Sequence, residues 1–228
     1  MSVWAILAAA GRGERLCLDR PKAFAKLGGD PLLAEPLRRL DESEWVDAIV
    51  VVAPPGWEEP AVLLAEELAC SKVQACVTGG ATRTDSVRVG LNEVPADALV
   101  VLVHDAARPL VTEEVVARVL APLSDGWDGA VPGLPVPDTL KRVGLDGAIL
   151  ETVERESVWA VQTPQAFVAD TLRRAYEGGD AGTDCATLVE GVGGRVKVVH
   201  GDPHLLKVTT PDDLAKVAAW LETTAEPS

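Results

Sequence analysis

Along the 228 residues, short runs of apolar and often β-branched residues alternate with stretches whose apolar positions recur at helical spacing. The runs VWAILAA (3–9), AIVVVA (48–53), VQACV (73–77), ALVVLVH (98–104), GAVPG (129–133) and RVKVVHG (195–201) read as strands. Several are apolar on both faces, as parallel strands covered by helices on each side require. Between them Leu33, Leu37 and Leu40 form a stripe, with Asp30-Pro31 expected to supply the N-cap and first helical residue. Thr112 is placed to cap EEVVARVLAPL, whose two leading glutamates suit the positive end of a helix dipole. Thr210-Pro211-Asp212-Asp213 opens a last helix with Leu214, Val217, Ala218 and Leu221 on one face. This alternation predicts an α/β protein: an open, mainly parallel, Rossmann-like sheet with helices on both faces and ligands at the carboxyl ends of its strands.

One segment departs from the rhythm. Residues 134–158 hold two short alternating runs around VGLDGA, the pattern of an antiparallel hairpin turning at or near Leu145-Asp146-Gly147. Such an inserted arm has no core of its own and is expected to pack on another subunit. No repeat, linker or low-complexity tract divides the chain, so 1–228 is expected to form one domain.

Charge narrows the range of partners. The net charge is -14 and the sequence pI about 4.6, so the far field repels nucleic acid and anionic membranes. The six tryptophans are scattered, with no stacking ladder for single strands. The apolar run Val3 to Ala10 is preceded by no Lys or Arg and fits a buried strand better than a signal peptide. No run approaches the roughly 18 apolar residues of a membrane span. Cys17, Cys70, Cys76 and Cys185 show no CxxC spacing and read as free thiols in a reducing, cytoplasmic setting. The three histidines form no metal-ligand cluster, GDP lying between His200 and His204.

Against that acidic background, one stretch stands out. Between Arg12 and Lys26 there are five cations (Arg12, Arg15, Arg20, Lys22, Lys26) against Glu14 and Asp19, a local balance of +3. The stretch follows the first strand and contains Gly11 and Gly13. A P-loop would need GxxxxGK followed by Ser or Thr, which is missing; a dinucleotide fingerprint would need a third glycine where Leu16 stands. The physics survives both failures: glycines after a buried strand bring bare N–H groups close to an anion, and Arg15 and Lys22 add full charges.

The pattern AAAGxGxRL…PK resembles the nucleotidyltransferase signature, and further segments match one branch in order: GGATRTDSVRVGL (79–91), VLVHDAARPLV (101–111), PVPDTLKR (135–142), VWAVQTPQAF (158–167), GTDCATLVE (182–190) and LLKVTTPDDL (205–214). That branch is the 2-C-methyl-D-erythritol 4-phosphate cytidylyltransferase family of the non-mevalonate isoprenoid pathway. The resemblance implies transfer of a cytidylyl group from CTP to methylerythritol phosphate with release of pyrophosphate, and Mg2+ carried mainly by the CTP phosphates with no protein ligand assigned. It implies catalytic roles for Arg15, Lys22, Arg155 and Lys207. Nucleotide-binding positions would be Ala9, Ala10, Gly11, Gly13, Arg15, Lys22, Gly80, Ser86, Asp105 and Ala107. Substrate-binding positions would be Asp105, Arg108, Thr139, Arg155, Thr163, Thr183 and Lys207, with Thr139 and Arg155 reaching a neighbour's site across the homodimer. Thr183 is also placed as a helix cap, and Asp85 reads equally as an early-helix charge or a ligand contact. Relatives often carry acids where this chain has Ala81 and Cys185. The alternatives are a ribitol 5-phosphate cytidylyltransferase and a catalytically silent nucleotide-binding protein.

Overall fold

The computed structural model describes residues 2–11, 13–16, 19–178 and 182–225; Arg12 and Cys17 lie outside them. Among the described residues, twelve strands and seven α-helices follow in the order β1 (Val3–Ala8), β2 (Lys26–Leu27), β3 (Asp30–Pro31), α1 (Ala34–Glu42), β4 (Ala48–Ala53), α2 (Glu58–Glu67), β5 (Val73–Thr78), α3 (Arg83–Asn92), β6 (Val100–Asp105), α4 (Glu113–Ser124), β7 (Gly129–Pro135), β8 (Leu140–Val143), β9 (Ile149–Val153), β10 (Trp159–Val161), β11 (Gln165–Val168), α5 (Ala169–Glu177), α6 (Cys185–Gly191), β12 (Val196–His200) and α7 (Pro211–Ala225). Eight strands form the main sheet in the order β10-β7-β11-β6-β1-β4-β5, with β12 on the other side of β7. Strands β4, β1 and β6 are parallel neighbours, whereas β10 and β11 run antiparallel to theirs.

Alternation along the central strands sorts side chains into two cores. Ala5, Leu7, Ile49, Val51, Val100 and Leu102 face one layer together with buried residues of α1, α2 and α4. Ile6, Val50, Val52, Val101 and Val103 face the other, with residues of α3, α5 and α6. Continuous apolar strands are therefore what two-sided burial demands. A third, smaller cluster joins Leu16, Leu27, Leu32, Leu110 and Val208 to Val217 of α7, with Leu206, Leu214 and Ala218 packed against it. After β1 the chain builds β4 and β5 on one side and then crosses back to place β6 on the other. A crevice at the carboxyl ends of β1 and β6 follows from that reversal.

Three expectations need correction. Asp30-Pro31 does not start a helix: it pairs as β3 with Lys26–Leu27 across Gly28-Gly29, and α1 begins at Ala34. A glycine-pair turn thus outweighs the cap signal, although Leu33, Leu37 and Leu40 are fully buried. Within VWAVQTPQAF lies β11, an unforeseen strand wedged between β6 and β7. Thr183 does not cap α6; Asp184 does, its Oδ1 accepting from Thr187 N at 2.9 Å. Elsewhere Thr112 caps α4 as read, accepting from Val115 N, and Thr210 opens α7 as expected, its Oγ1 accepting from Asp213 N at 3.3 Å.

The hairpin is present as β8 and β9, which pair with each other only, and Gly147 takes φ +81° beside the turn. Val143, Leu145, Ile149 and Leu150 are each more than half exposed on it.

Candidate active site

A cavity of about 830 Å³ opens at the carboxyl ends of β1 and β6, walled by Ala9, Ala10, Gly11, Lys22, Gly80, Ser86, Asp105, Ala107 and Lys207. All nine were expected at a ligand. Gly13 supports the wall from behind: its φ of +67° is a left-handed conformation, and an added Cβ would come within 2.5 Å of Lys22 Cβ. Only glycine lets the loop fold back over the lysine in this way.

Lys22 opens a 3-10 turn whose Ala23 and Phe24 are buried, so its backbone is anchored while its ammonium faces the cavity. Burial, helped by the positive charge of Lys207, lowers its pKa to about 8 despite the opposing pull of Asp105. Arg15 and Arg108 add to that lowering, which places both charges near the same point, although neither side chain is on the wall. Arg20 is on the wall but is paired with Asp19 at 3.1 Å.

Asp105 ends β6 and is 7% exposed. Arg83 Nε lies 3.0 Å from its Oδ1, and Lys207 Nζ lies 2.6 Å from its Oδ2. Burial alone would raise this carboxyl, but the charges of Arg83 and Lys207 more than offset it and hold the group well below the usual aspartate range. Lys207 reaches the site because its segment is stitched to the turn after β6. The Arg108 guanidinium donates to Leu205 O, and Val208 N donates to Ala107 O at 2.8 Å. Arg108 thus acts here from below.

Part of the wall is apolar. Pro54, Pro55 and Trp57 line it, and Trp57 rests on Phe24 with ring centroids 4.6 Å apart. Ser86 Oγ accepts from Gly80 N at 3.1 Å and donates to Thr82 O at 2.9 Å, holding the Gly80 loop against α3. At Gly80 a Cβ would overlap Asp85 Cβ. Asp85 itself closes a capping box with Thr82 and pairs with Arg88 at 2.7 Å, which accounts for it as an early-helix charge.

Besides Gly13, Arg15 and Arg108, four further expected residues are not on the wall. Thr163 lies beneath Asp105, 4% exposed, and accepts from Asp105 N at 3.1 Å. Thr183 contacts Thr187 Oγ1 at 3.4 Å. Thr139 is exposed between β7 and β8, and Arg155, exposed beyond β9, donates to Pro137 O. Conversely, the spacing of residues gave no hint of Arg83. A cation opening the helix after a glycine-rich turn, at the same sheet edge as Asp105, is the signal that would have found it.

The wall thus combines an apolar and main-chain part with a cationic part. The model of the family described as 2-C-methyl-D-erythritol 4-phosphate cytidylyltransferase matches residues 3–223. The chain belongs to that family. Its reaction class is therefore nucleotidyl transfer. A protein of that description from Saccharopolyspora erythraea is 48% identical over 225 residues, covering 97% of this chain and all of the relative. One from Nocardia farcinica is 46% identical, covering 97% of this chain and 94% of its own length. Among solved structures, the Thermus thermophilus member aligns with TM-score 0.78 at 36% identity, covering 97% of this chain and 100% of that one. The 4-diphosphocytidyl-2C-methyl-D-erythritol synthase of Anaerococcus prevotii gives 0.83 at 28% identity, covering 97% and 98%.

Proposed function

We propose that this chain forms one nucleotidyltransferase domain that moves a cytidylyl group from CTP onto 2-C-methyl-D-erythritol 4-phosphate, making the cytidine diphosphate ester used for isoprenoid precursors and releasing pyrophosphate. The observation that carries this reading is Asp105, clamped between Arg83 and Lys207 beside the desolvated Lys22, inside a nucleotide-sized cavity.

The attacking group is a phosphate monoester whose second pKa lies near ~6, so it is already mostly dianionic at neutral pH and needs no general base. One of its oxygens forms a bond to the α-phosphorus of CTP. The bond from that phosphorus to the bridging oxygen breaks, and pyrophosphate departs with the electron pair. Two anions must meet, so fixed cations and alignment supply the acceleration. Lys22 and Arg15, with the amides after β1, hold the triphosphate and offset charge developing at the α-phosphorus. Gly80 and Ser86 shape the loop that reads the base through main-chain groups. Lys207 has three donors and gives one to Asp105, leaving two for the phosphate of the second substrate.

Both Asp105 oxygens are engaged by cations, and among the described residues there is no group of three or more His, Cys, Asp or Glu suited to a metal. A donor set of this kind fits Mg2+ carried on the nucleotide phosphates and water, where it would neutralise phosphate charge. Arg155 and Thr139, exposed on the hairpin arm and absent from the cavity wall, complete the site of a second copy, the exposed Leu145, Ile149 and Leu150 packing at that junction. No described helix is long and apolar enough to cross a membrane, and the acidic chain is read as cytoplasmic, with no nucleic-acid partner.

Pyrophosphate release from CTP and Mg2+ tests the reading, with methylerythritol phosphate or ribitol 5-phosphate as acceptor. Turnover with the first is expected. Turnover with the second alone would transfer the assignment to the other polyol, and none with either would overturn it.

A further inference from the structure

His104 is fully buried at the penultimate position of β6, one residue before Asp105, and the reaction above makes no use of it. Its Nε2 lies 3.0 Å from Arg108 O, and its Nδ1 lies 3.0 Å from Thr163 Oγ1. A carbonyl oxygen only accepts, so Nε2 must carry a proton. Burial, only partly countered by the bond to Arg108 O, lowers the pKa to about 4, so the ring is neutral at neutral pH and Nδ1 is bare. The Thr163 hydroxyl must then donate to Nδ1. That fixes the rotor and turns an oxygen lone pair toward Asp105 N, which donates to it at 3.1 Å. Every proton in the chain Arg108 O, His104, Thr163, Asp105 N therefore has one consistent placement.

We infer that His104 is a positioning residue for cytidylyl transfer, its Nε2–H tautomer orienting the Thr163 hydroxyl so that Asp105 is fixed at the strand end between Arg83 and Lys207. At its other nitrogen the same ring holds Arg108 O, closing the turn from which Arg108 and Ala107 secure the segment bearing Lys207. One imidazole thus braces both sides of the Asp105–Lys207 pair without touching a ligand. It also assigns the Thr163 hydroxyl a direction: its only proton is committed inward, so toward any substrate it can act only as an acceptor.

The inference rests on the proposed transfer reaction, and its test separates the two. Nitrogen NMR of the wild-type protein at neutral pH should show His104 protonated at Nε2 and bare at Nδ1, and T163V should shift the Nδ1 signal. H104Q keeps a donor for Arg108 O but loses the acceptor facing Thr163. T163V keeps the shape and loses the hydroxyl. Each should lower kcat about ten- to a hundred-fold with KM values little changed, as expected when reacting groups are misplaced. The double variant should be no worse than the poorer single one, because both cut the same link. H104N, whose Oδ1 can still accept from Thr163, should lose less than H104Q. A ring protonated at Nδ1 or at both nitrogens, undiminished kcat in H104Q, or multiplicative losses in the double variant would each overturn the inference. Should H104Q fail to fold, the wild-type and T163V spectra still decide. A wild-type enzyme inert in the same assay would remove the transfer reading and leave the spectra to judge the tautomer alone.

Discussion

Lys207 Nζ lies 2.6 Å from Asp105 Oδ2, across 102 residues of sequence. Together with Arg83 on the other carboxylate oxygen, it makes Asp105 a buried anion with two partners, and the first prediction comes from taking one away. R83M keeps the aliphatic stem and removes the charge. Unfolding in urea should show a loss on the order of 3 kcal/mol, since an under-compensated buried charge is left behind. Wild-type Asp105 stabilises the fold fully above the ordinary aspartate pKa, and that contribution is lost as pH falls toward its much lower folded value. In R83M the folded value climbs back, so the acid limb of activity should move to higher pH. An unmoved limb would show that Arg83 does not hold the carboxylate.

Lys22 makes nucleotide binding pH-dependent. With a pKa of about 8 in the ligand-free protein, part of the population is neutral at mildly alkaline pH. A bound triphosphate favours the charged form and raises that pKa, so binding above pH 8 takes up a proton and weakens as pH rises. Calorimetry in two buffers of different ionisation enthalpy measures the uptake. K22R, charged throughout, should abolish it; equal uptake in K22R would place the titrating group elsewhere.

Replacing Gly13 with alanine forces a side chain into a left-handed conformation, costing about 1–2 kcal/mol, and drives its Cβ against Lys22. CTP affinity should fall in parallel with stability. G126A is the control, because Gly126 (φ +83°) carries the same left-handed strain away from the cavity, and an added Cβ there would meet no protein atom within 4 Å. Unchanged CTP affinity in G13A would separate the glycine from the lysine it is said to seat.

Subunit mixing tests the arm. R155A and K207A enzymes should each be nearly inactive. After random exchange, half of the dimers are hybrids with one intact site, so activity should recover toward about a quarter of wild type. No recovery despite proven exchange would mean that both residues serve the same chain's site.

Much of this architecture was legible because it depends on local signals. Two-sided apolar strands, the Thr112 cap and the hairpin turn at Gly147 each follow from a few adjacent residues. Asp30-Pro31 misled because two short-range signals competed, and the Gly28-Gly29 turn won. Within the site, Gly13 and Lys22 could be paired from one loop, whereas Arg83 and Asp105 come from the ends of different elements, and nothing in their spacing announces contact. For Thr163 the resemblance implies a substrate contact, whereas its depth beneath Asp105 depends on β11, a strand too poor in β-branched residues to be seen.

Helix α7 has a wider consequence. Its apolar face closes the small cluster containing Leu16, Leu110, Leu206 and Val208, the neighbours of Arg15, Arg108 and Lys207. Three cations from distant loops are thereby seated on a helix that leaves the ribosome last among the elements of the fold. The pocket cannot ripen during synthesis while that helix is still in the exit tunnel, and an assay on stalled nascent chains would see nucleotide binding begin only once α7 has emerged.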